Sequence, residues 1–98
     1  MTSQSKRETV LNTALEAVTK DRNANYGDPE DNFLDIARLW TAYKPDTTFT
    51  RTDVAVMMVL VKIARAYTSP TLLDHWTDLA GYAACAYGCS VADNEDAE

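Results

Sequence analysis

The sequence is poor in most of the residues that announce a chemistry. It has one histidine and two cysteines in 98 residues. Cys85 and Cys89 stand four apart, and His75 lies ten residues from Cys85, roughly 15 Å along a helix, so a zinc centre would lack ligands. The cysteines are read instead as small buried thiols in a reducing compartment. Three glycines and three prolines are too few for an all-β chain rich in turns, and no run alternates with period two. Lys and Arg number nine against fifteen Asp and Glu. No basic stripe suits duplex nucleic acid, which is excluded as a partner. The best apolar run, from Val54 to Tyr67, is broken by Lys62 and Arg65 and does not reach membrane-spanning length. The polar start, Met1 to Glu8, leads into an amphipathic segment and not into the apolar centre of a signal peptide. No membrane partner is expected, and the protein is expected in the cytoplasm.

What is present is helical pattern. Ser5-Lys6-Arg7-Glu8 has the form of a capping box and opens a first helix with Val10, Leu11, Ala14, Leu15, Ala17 and Val18 on one side. Asp28-Pro29-Glu30-Asp31 opens a second, with aspartate as cap, proline at the first position and acid in the first turn. Phe33, Ile36, Ala37 and Trp40 follow at helical spacing. Thr50-Arg51-Thr52-Asp53 opens a third, and either Ser69-Pro70 or Thr71 to Asp74 a fourth, with Gly88 loosening or ending it. The segments 21–27 and 44–49 read as connections.

The expected fold is therefore all-α, a four-helix arrangement in one domain over residues 1–90, followed by an acidic disordered tail over 91–98. The third helix is apolar nearly all round and is expected at the centre. On the fourth, Leu72, Leu73, Trp76, Leu79, Ala80, Ala83 and Ala84 form the expected core face. Its small residues would let another helix, of the same or a second subunit, approach closely. A chain this short often completes its burial by self-association.

Two cations sit inside the apolar third helix. Lys62 and Arg65 share a face, as do Asp74 and Asp78 on the fourth helix. An antiparallel hairpin would bring Arg65 near Asp74 and Lys62 near Asp78. Buried charge is costly unless it is paired or meets a charged ligand. The cluster therefore either fixes the register of two helices or forms an anion pocket, in which the acids orient the cations. Asp53 is explained as a capping acid and Asp31 and Asp35 as dipole complement, although each is also a candidate metal ligand. Tyr26 of the Tyr26-Gly27-Asp28-Pro29 turn would stack on a base or cover the third helix.

The ordered string Arg22-x-x-x-Tyr26-Gly27, Asn32-Phe33, Ile36-Ala37-x-x-Trp40, Asp53-Val54-Ala55, Lys62-Ile63-Ala64-Arg65 and Asp78-Leu79-Ala80-Gly81-Tyr82-Ala83 resembles a family of small phage-encoded proteins of uncharacterised function. That family is distantly similar to MazG-like, all-α nucleotide pyrophosphohydrolases. Those enzymes hold Mg²⁺ with a Glu-Glu-x-x-Glu motif on one helix and Glu-x-x-Asp on the next, and they are commonly dimers or tetramers. On this chain the first motif falls at Val61-Lys62-Ile63-Ala64-Arg65 and the second at His75-Trp76-Thr77-Asp78. Only Asp78 matches, and cations replace two metal-binding acids.

The resemblance implies a nucleotide-binding protein without catalytic residues or cofactor, in which Arg22, Tyr26, Lys62, Arg65, Asp78 and Tyr82 hold a nucleotide or other phosphorylated small molecule. Sequestration of a nucleotide or cyclic-nucleotide signal in counter-defence is one such use. The alternative is a divergent MazG-like pyrophosphohydrolase, with Asp53 and Asp78 on Mg²⁺. A third reading is a helical assembly or adaptor protein with no small ligand. A homo-oligomer, dimer or tetramer, is expected.

Overall fold

The computed structural model describes residues 2–97, without the side chains of residues 21–23. Every regular element among them is helical: α1 (Ser3–Glu16), a π-helical segment (Ala17–Asp21), the short α2 (Arg22–Tyr26), α3 (Pro29–Tyr43), α4 (Arg51–Thr68) and α5 (Leu73–Ala97). The four long helices are those the sequence pattern predicts. The connection expected over 21–27 instead carries the end of the π turn and α2. Gly27 then reverses the chain at φ +76°, in the left-handed region that only glycine enters cheaply.

The caps explain the boundaries. The Thr50 hydroxyl accepts from the Asp53 N–H at 3.1 Å while the Asp53 carboxylate accepts from the Thr50 N–H at 2.9 Å, a complete capping box. Asp28 caps α3 with its backbone carbonyl, which accepts from the Asp31 and Asn32 N–H groups, and Pro29 takes the first helical position. At α1 the expectation of a Ser5 cap is corrected. Thr2 is the cap, its hydroxyl accepting from the Ser5 N–H at 3.0 Å, because Ser5 already lies inside the helix.

The core forms where α3, α4 and α5 meet: Phe33 and Ala37, Val54 and Ala55, Cys85 and Cys89. Val18, Ile36, Trp40, Phe49, Tyr82 and Ala86 close around it. Phe33 stacks on Tyr82 with centroids 6.2 Å apart, and Phe49 meets Trp40 edge-on at 5.7 Å. The loop carrying Phe49 is pinned by its own N–H, which donates to the Thr41 hydroxyl at 2.9 Å. Each such aromatic pair adds about 0.5–1.5 kcal/mol beyond the area it buries.

Four expectations are corrected by this packing. On α5 the buried ridge is Thr77, Gly81, Cys85 and Cys89. Small residues every fourth position let α5 approach its neighbours closely, so Leu72, Leu73 and Trp76 stay on the surface. The Trp76 indole N–H is satisfied there by the Pro70 carbonyl at 2.8 Å. On α1 only Ala14 is buried, while Leu11 and Leu15 are exposed, because the π turn shifts the inward face to Val18. The third corrected expectation concerns α4, which is not enclosed. Val54, Ala55 and Ala66 are buried, but Val56, Met57, Leu60, Val61 and Ile63 are exposed.

The fourth concerns the end of α5. The helix continues through Gly88 to Ala97, so the described residues of the expected tail, 91–97, are helical. Gly88 serves as a point of close approach: the Glu30 carboxylate lies where a Cβ would project. The acids beyond it hold the helix by pairing with α4.

No helix among the described residues is long and apolar enough to cross a membrane.

Candidate functional site

α4 and α5 form an antiparallel hairpin, and the inward side of α4 carries Lys62 and Arg51 to α5. The Lys62 ammonium donates to Asp78 Oδ2 at 2.8 Å, with its own side chain only 11% exposed. This is the pair the hairpin register predicts. The companion pair is not formed. Arg65 and Asp74 are both exposed, and no ion pair joins them. Asp74 lies in the first turn of α5, where the chain has only just left the loop after Thr68.

Arg51, eleven residues before Lys62, faces the same way, since eleven residues are close to three full turns. Its guanidinium is buried and satisfied on three sides: Nε–H donates to the Glu30 carbonyl at 2.8 Å, and Nη1 donates to Asp96 Oδ2 at 2.6 Å and Asp93 Oδ1 at 3.3 Å. Asp93 Oδ2 accepts in turn from the Thr52 N–H at 3.0 Å and the Thr52 hydroxyl at 2.7 Å. Burial alone would push the Asp93 carboxyl up, but the Thr52 hydrogen bonds and the Arg51 guanidinium outweigh it and hold it below its ordinary value. The Asp96 hydrogen bond, with the two nearby carboxylate charges, outweighs burial and raises Arg51 above its own. The cluster is internally complete and ties α3, α4 and α5 together. Sequence reasoning missed it, yet the register that pairs Lys62 with Asp78 also places Arg51 opposite residues 89–93.

Beside the Lys62–Asp78 pair lies a cavity of about 130 Å³ between the π segment and α5. Ala17 and Val18 form one wall, and Thr77, Asp78, Gly81, Tyr82 and Cys85 the other. Gly81 is required for this closeness, because a Cβ there would stand 3.0 Å from Val18 Cγ1. Thr77 is 5% exposed and its hydroxyl has no hydrogen-bond partner. A buried hydroxyl without a partner costs about 1–3 kcal/mol. It stands next to a carboxylate in a cavity wall, where an incoming polar group would relieve that cost. Thr77 was also missed, although its place four residues before Gly81 in the small-residue ridge marks it as inward-facing.

Of the six residues expected to bind ligand, Asp78 and Tyr82 line the cavity, and Lys62 holds Asp78 from α4. Arg65 is exposed one turn further along α4. Tyr26 is two-thirds exposed and not part of the cavity wall. The Arg22 side chain lies outside the described residues. Asp53 and Asp78, the pair considered for a metal, do not meet. Asp53 is committed to the capping box, and Asp78 is docked on Lys62, nine residues or roughly 13 Å further along the helix. Among the described residues no three Asp, Glu, His or Cys side chains group closely enough to hold a metal ion. Cys85 and Cys89 are buried thiols outside any disulfide, and burial, followed by the charges of Glu30 and Cys85, pushes the Cys89 thiol up to about 12, which leaves it unreactive.

Residues 9–90 match the family described as "Domain of unknown function (DUF6378)". The Gene 55 protein of Mycobacterium phage L5 is 47% identical over 74 residues, covering 76% of this chain and 47% of that protein. The Gene 55 protein of Mycobacterium phage D29 is 42% identical over 78 residues, covering 80% of this chain and 51% of its own. The chain thus spans about half the length of these relatives. No solved structure matches it. With the family match running from α1 well into α5, the chain belongs to the DUF6378 family, whose function is unknown and whose relatives include mycobacteriophage proteins.

Proposed function

We propose that the protein binds a nucleotide or a similar phosphorylated small molecule without turning it over, the ring of the ligand entering the cavity beside Asp78. The observation that carries this reading is the partnerless Thr77 hydroxyl in the wall of that cavity. A volume of about 130 Å³ is close to the roughly 150 Å³ cavity that accepts one benzene ring. It suits a single heterocycle and excludes a whole nucleotide, whose sugar and phosphate would extend outward. The Thr77 hydroxyl and the Asp78 carboxylate offer ring nitrogens and amino groups a donor and acceptors. Lys62, which keeps N–H groups beyond the one on Asp78, and Arg65, exposed on the same helix, supply the cations that a phosphate needs.

Hydrolysis is not proposed, since Asp53 and Asp78 stand too far apart to share a metal. A binder that does not turn over its ligand acts by sequestering it or by setting its free concentration. For a phage-type protein the useful target is a host nucleotide signal, linear or cyclic.

The test is calorimetric titration with a panel of nucleoside mono-, di- and triphosphates and cyclic nucleotides, run beside an assay for pyrophosphate release with Mg²⁺. Saturable binding without release is expected, weakened at least tenfold by Thr77→Val and by Lys62→Ala/Arg65→Ala in folded protein. Failure of every compound to bind overturns the proposal, and turnover of any of them restores the pyrophosphohydrolase reading.

A further inference from the structure

The outward face of α4 has no partner within the chain. Val56, Leu60, Ile63 and Tyr67 follow one another at spacings of four, three and four, and they are 45%, 57%, 48% and 90% exposed. That alternation is the seam of a helix made to pack along another helix. Met57 and Ala64 flank it and are exposed as well. Both cations are turned away: at about 100° per residue, Lys62 points some 160° from Leu60 and Arg65 some 140° from it. From Val56 to Tyr67 the seam carries no charge, in a chain of net charge −6; the exposed capping acid Asp53, one turn before Val56, marks its N-terminal end.

We infer that this face docks on the same face of a second copy of the chain, with the two α4 helices antiparallel. The spacing reads identically in both directions, so a two-fold rotation sets Leu60 of each copy against Ile63 of the other and Val56 against Tyr67. Such self-complementarity is what an isologous dimer requires, and an unrelated partner would have to supply it separately. The small Val56 leaves room for the large Tyr67 ring, and Leu60 and Ile63 match in volume. The exposed area of the stripe is on the order of 600 Å² per chain, the largest a monomer ordinarily shows and the lower bound of what a stable pair buries per partner. The antiparallel arrangement also sets the positive end of each α4 dipole beside the negative end of the other. The absence of charge keeps like-charge repulsion between two acidic chains off the contact.

The experiment is light scattering behind size exclusion on the full chain, across a hundredfold concentration range, for the wild type and for Leu60→Glu/Ile63→Glu. The wild type is expected at twice the chain mass and the variant at the chain mass, with the same helical circular dichroism, since both positions are on the surface. Orientation is read by oxidising mixtures of variants that each carry one added cysteine. Leu60→Cys with Ile63→Cys, and Val56→Cys with Tyr67→Cys, should cross-link as mixed pairs, and the native thiols are buried and silent. A monomeric wild type overturns the inference, as it would if this face is covered in longer relatives by the rest of their chain. A dimer indifferent to the glutamates, or one in which Val56→Cys and Tyr67→Cys each cross-link mainly with themselves, overturns it too.

Discussion

Replacing Thr77 by valine should make the free protein more stable and the ligand-bound protein less so. Valine keeps the shape of threonine and differs by a methyl group in place of the hydroxyl. The two have nearly the same helix propensity, so the interior position on α5 contributes little to the difference. The hydroxyl is buried at 5% exposure without a partner, a state that costs about 1–3 kcal/mol. The adjoining cavity relieves part of that through solvent, so a gain of about 1 kcal/mol is expected, which for a domain of this size is a rise of about 5 °C in Tm. Thr77→Ser keeps the hydroxyl and loses a methyl, for a loss of about 0.8 kcal/mol. Thermal and urea unfolding followed by circular dichroism measures both, and titration with the best nucleotide of the panel measures the second half. The two substitutions must move stability in opposite directions while the valine alone weakens binding. A valine variant no more stable than the wild type would mean that the hydroxyl is already satisfied, and the argument for a ligand at Thr77 would lose its basis.

The Arg51 cluster should behave as a structural lock. Removal of residues 93–98 should cost about 3 kcal/mol in urea unfolding because Arg51 is left buried without its carboxylates, whereas loss of a disordered tail would cost nothing; Arg51→Met should cost less, since the acids it leaves, Asp93 and Asp96, reach solvent. Its pH dependence has a definite sign. The folded Asp93 titrates below its unfolded value of about 3.9, so its contribution is complete above that value and is lost as pH falls through the lower folded one. In acid titrations monitored by circular dichroism, Asp93→Asn should be destabilised at neutral pH and show a shallower loss of stability below pH 4. Gly88→Ala should stabilise by up to about 1 kcal/mol through helix propensity, since the Glu30 carboxylate is the mobile end of a long side chain and can swing aside. Gly81→Ala should yield no such gain in thermal unfolding, because Val18 is β-branched and stiff, and it should abolish nucleotide binding by narrowing the cavity.

Capping chemistry was the most legible layer of the sequence. Thr50-x-x-Asp53 and Asp28-Pro29 mark where α4 and α3 begin, because a cap is set by residues within one turn of each other. The Lys62–Asp78 pair was legible too, since a short loop between two helices fixes their antiparallel register. Faces were less so. On α5 the large side chains Leu72, Leu73 and Trp76 dominate any hydrophobic count, but the helix packs on Thr77, Gly81, Cys85 and Cys89. There the closeness of the backbones, and not the size of the side chain, decides which face is inside. The acids near the end of α5 read as a solvated run only because their partner, Arg51, lies more than forty residues earlier. Local pattern cannot weigh a contact across that separation.

The same helix accounts for both the lock and the seam. α4 has more apolar surface than three neighbouring helices in one small chain can cover. Its inward side therefore carries what must be placed with care: Arg51 and Lys62, each satisfied by acids of α5 (Arg51 by the Glu30 carbonyl as well), and Val54, Ala55 and Ala66 in close contact. Its outward side carries bulk hydrophobes, with a single charge, the capping acid Asp53, at its first turn. A single helix buried within one chain would have no reason to keep its buried cations on one side, since paired charges are costly to bury anywhere. Segregation of this kind follows if one side is matched to a fixed intramolecular partner and the other to a partner that must dissociate freely or be found by diffusion. The cavity beside Asp78 opens on the α5 and π-segment side, away from the Leu60 face. Pairing through α4 would therefore leave it open to ligand in both copies, and disrupting the seam should alter the assembly without altering the stoichiometry of one ligand per chain.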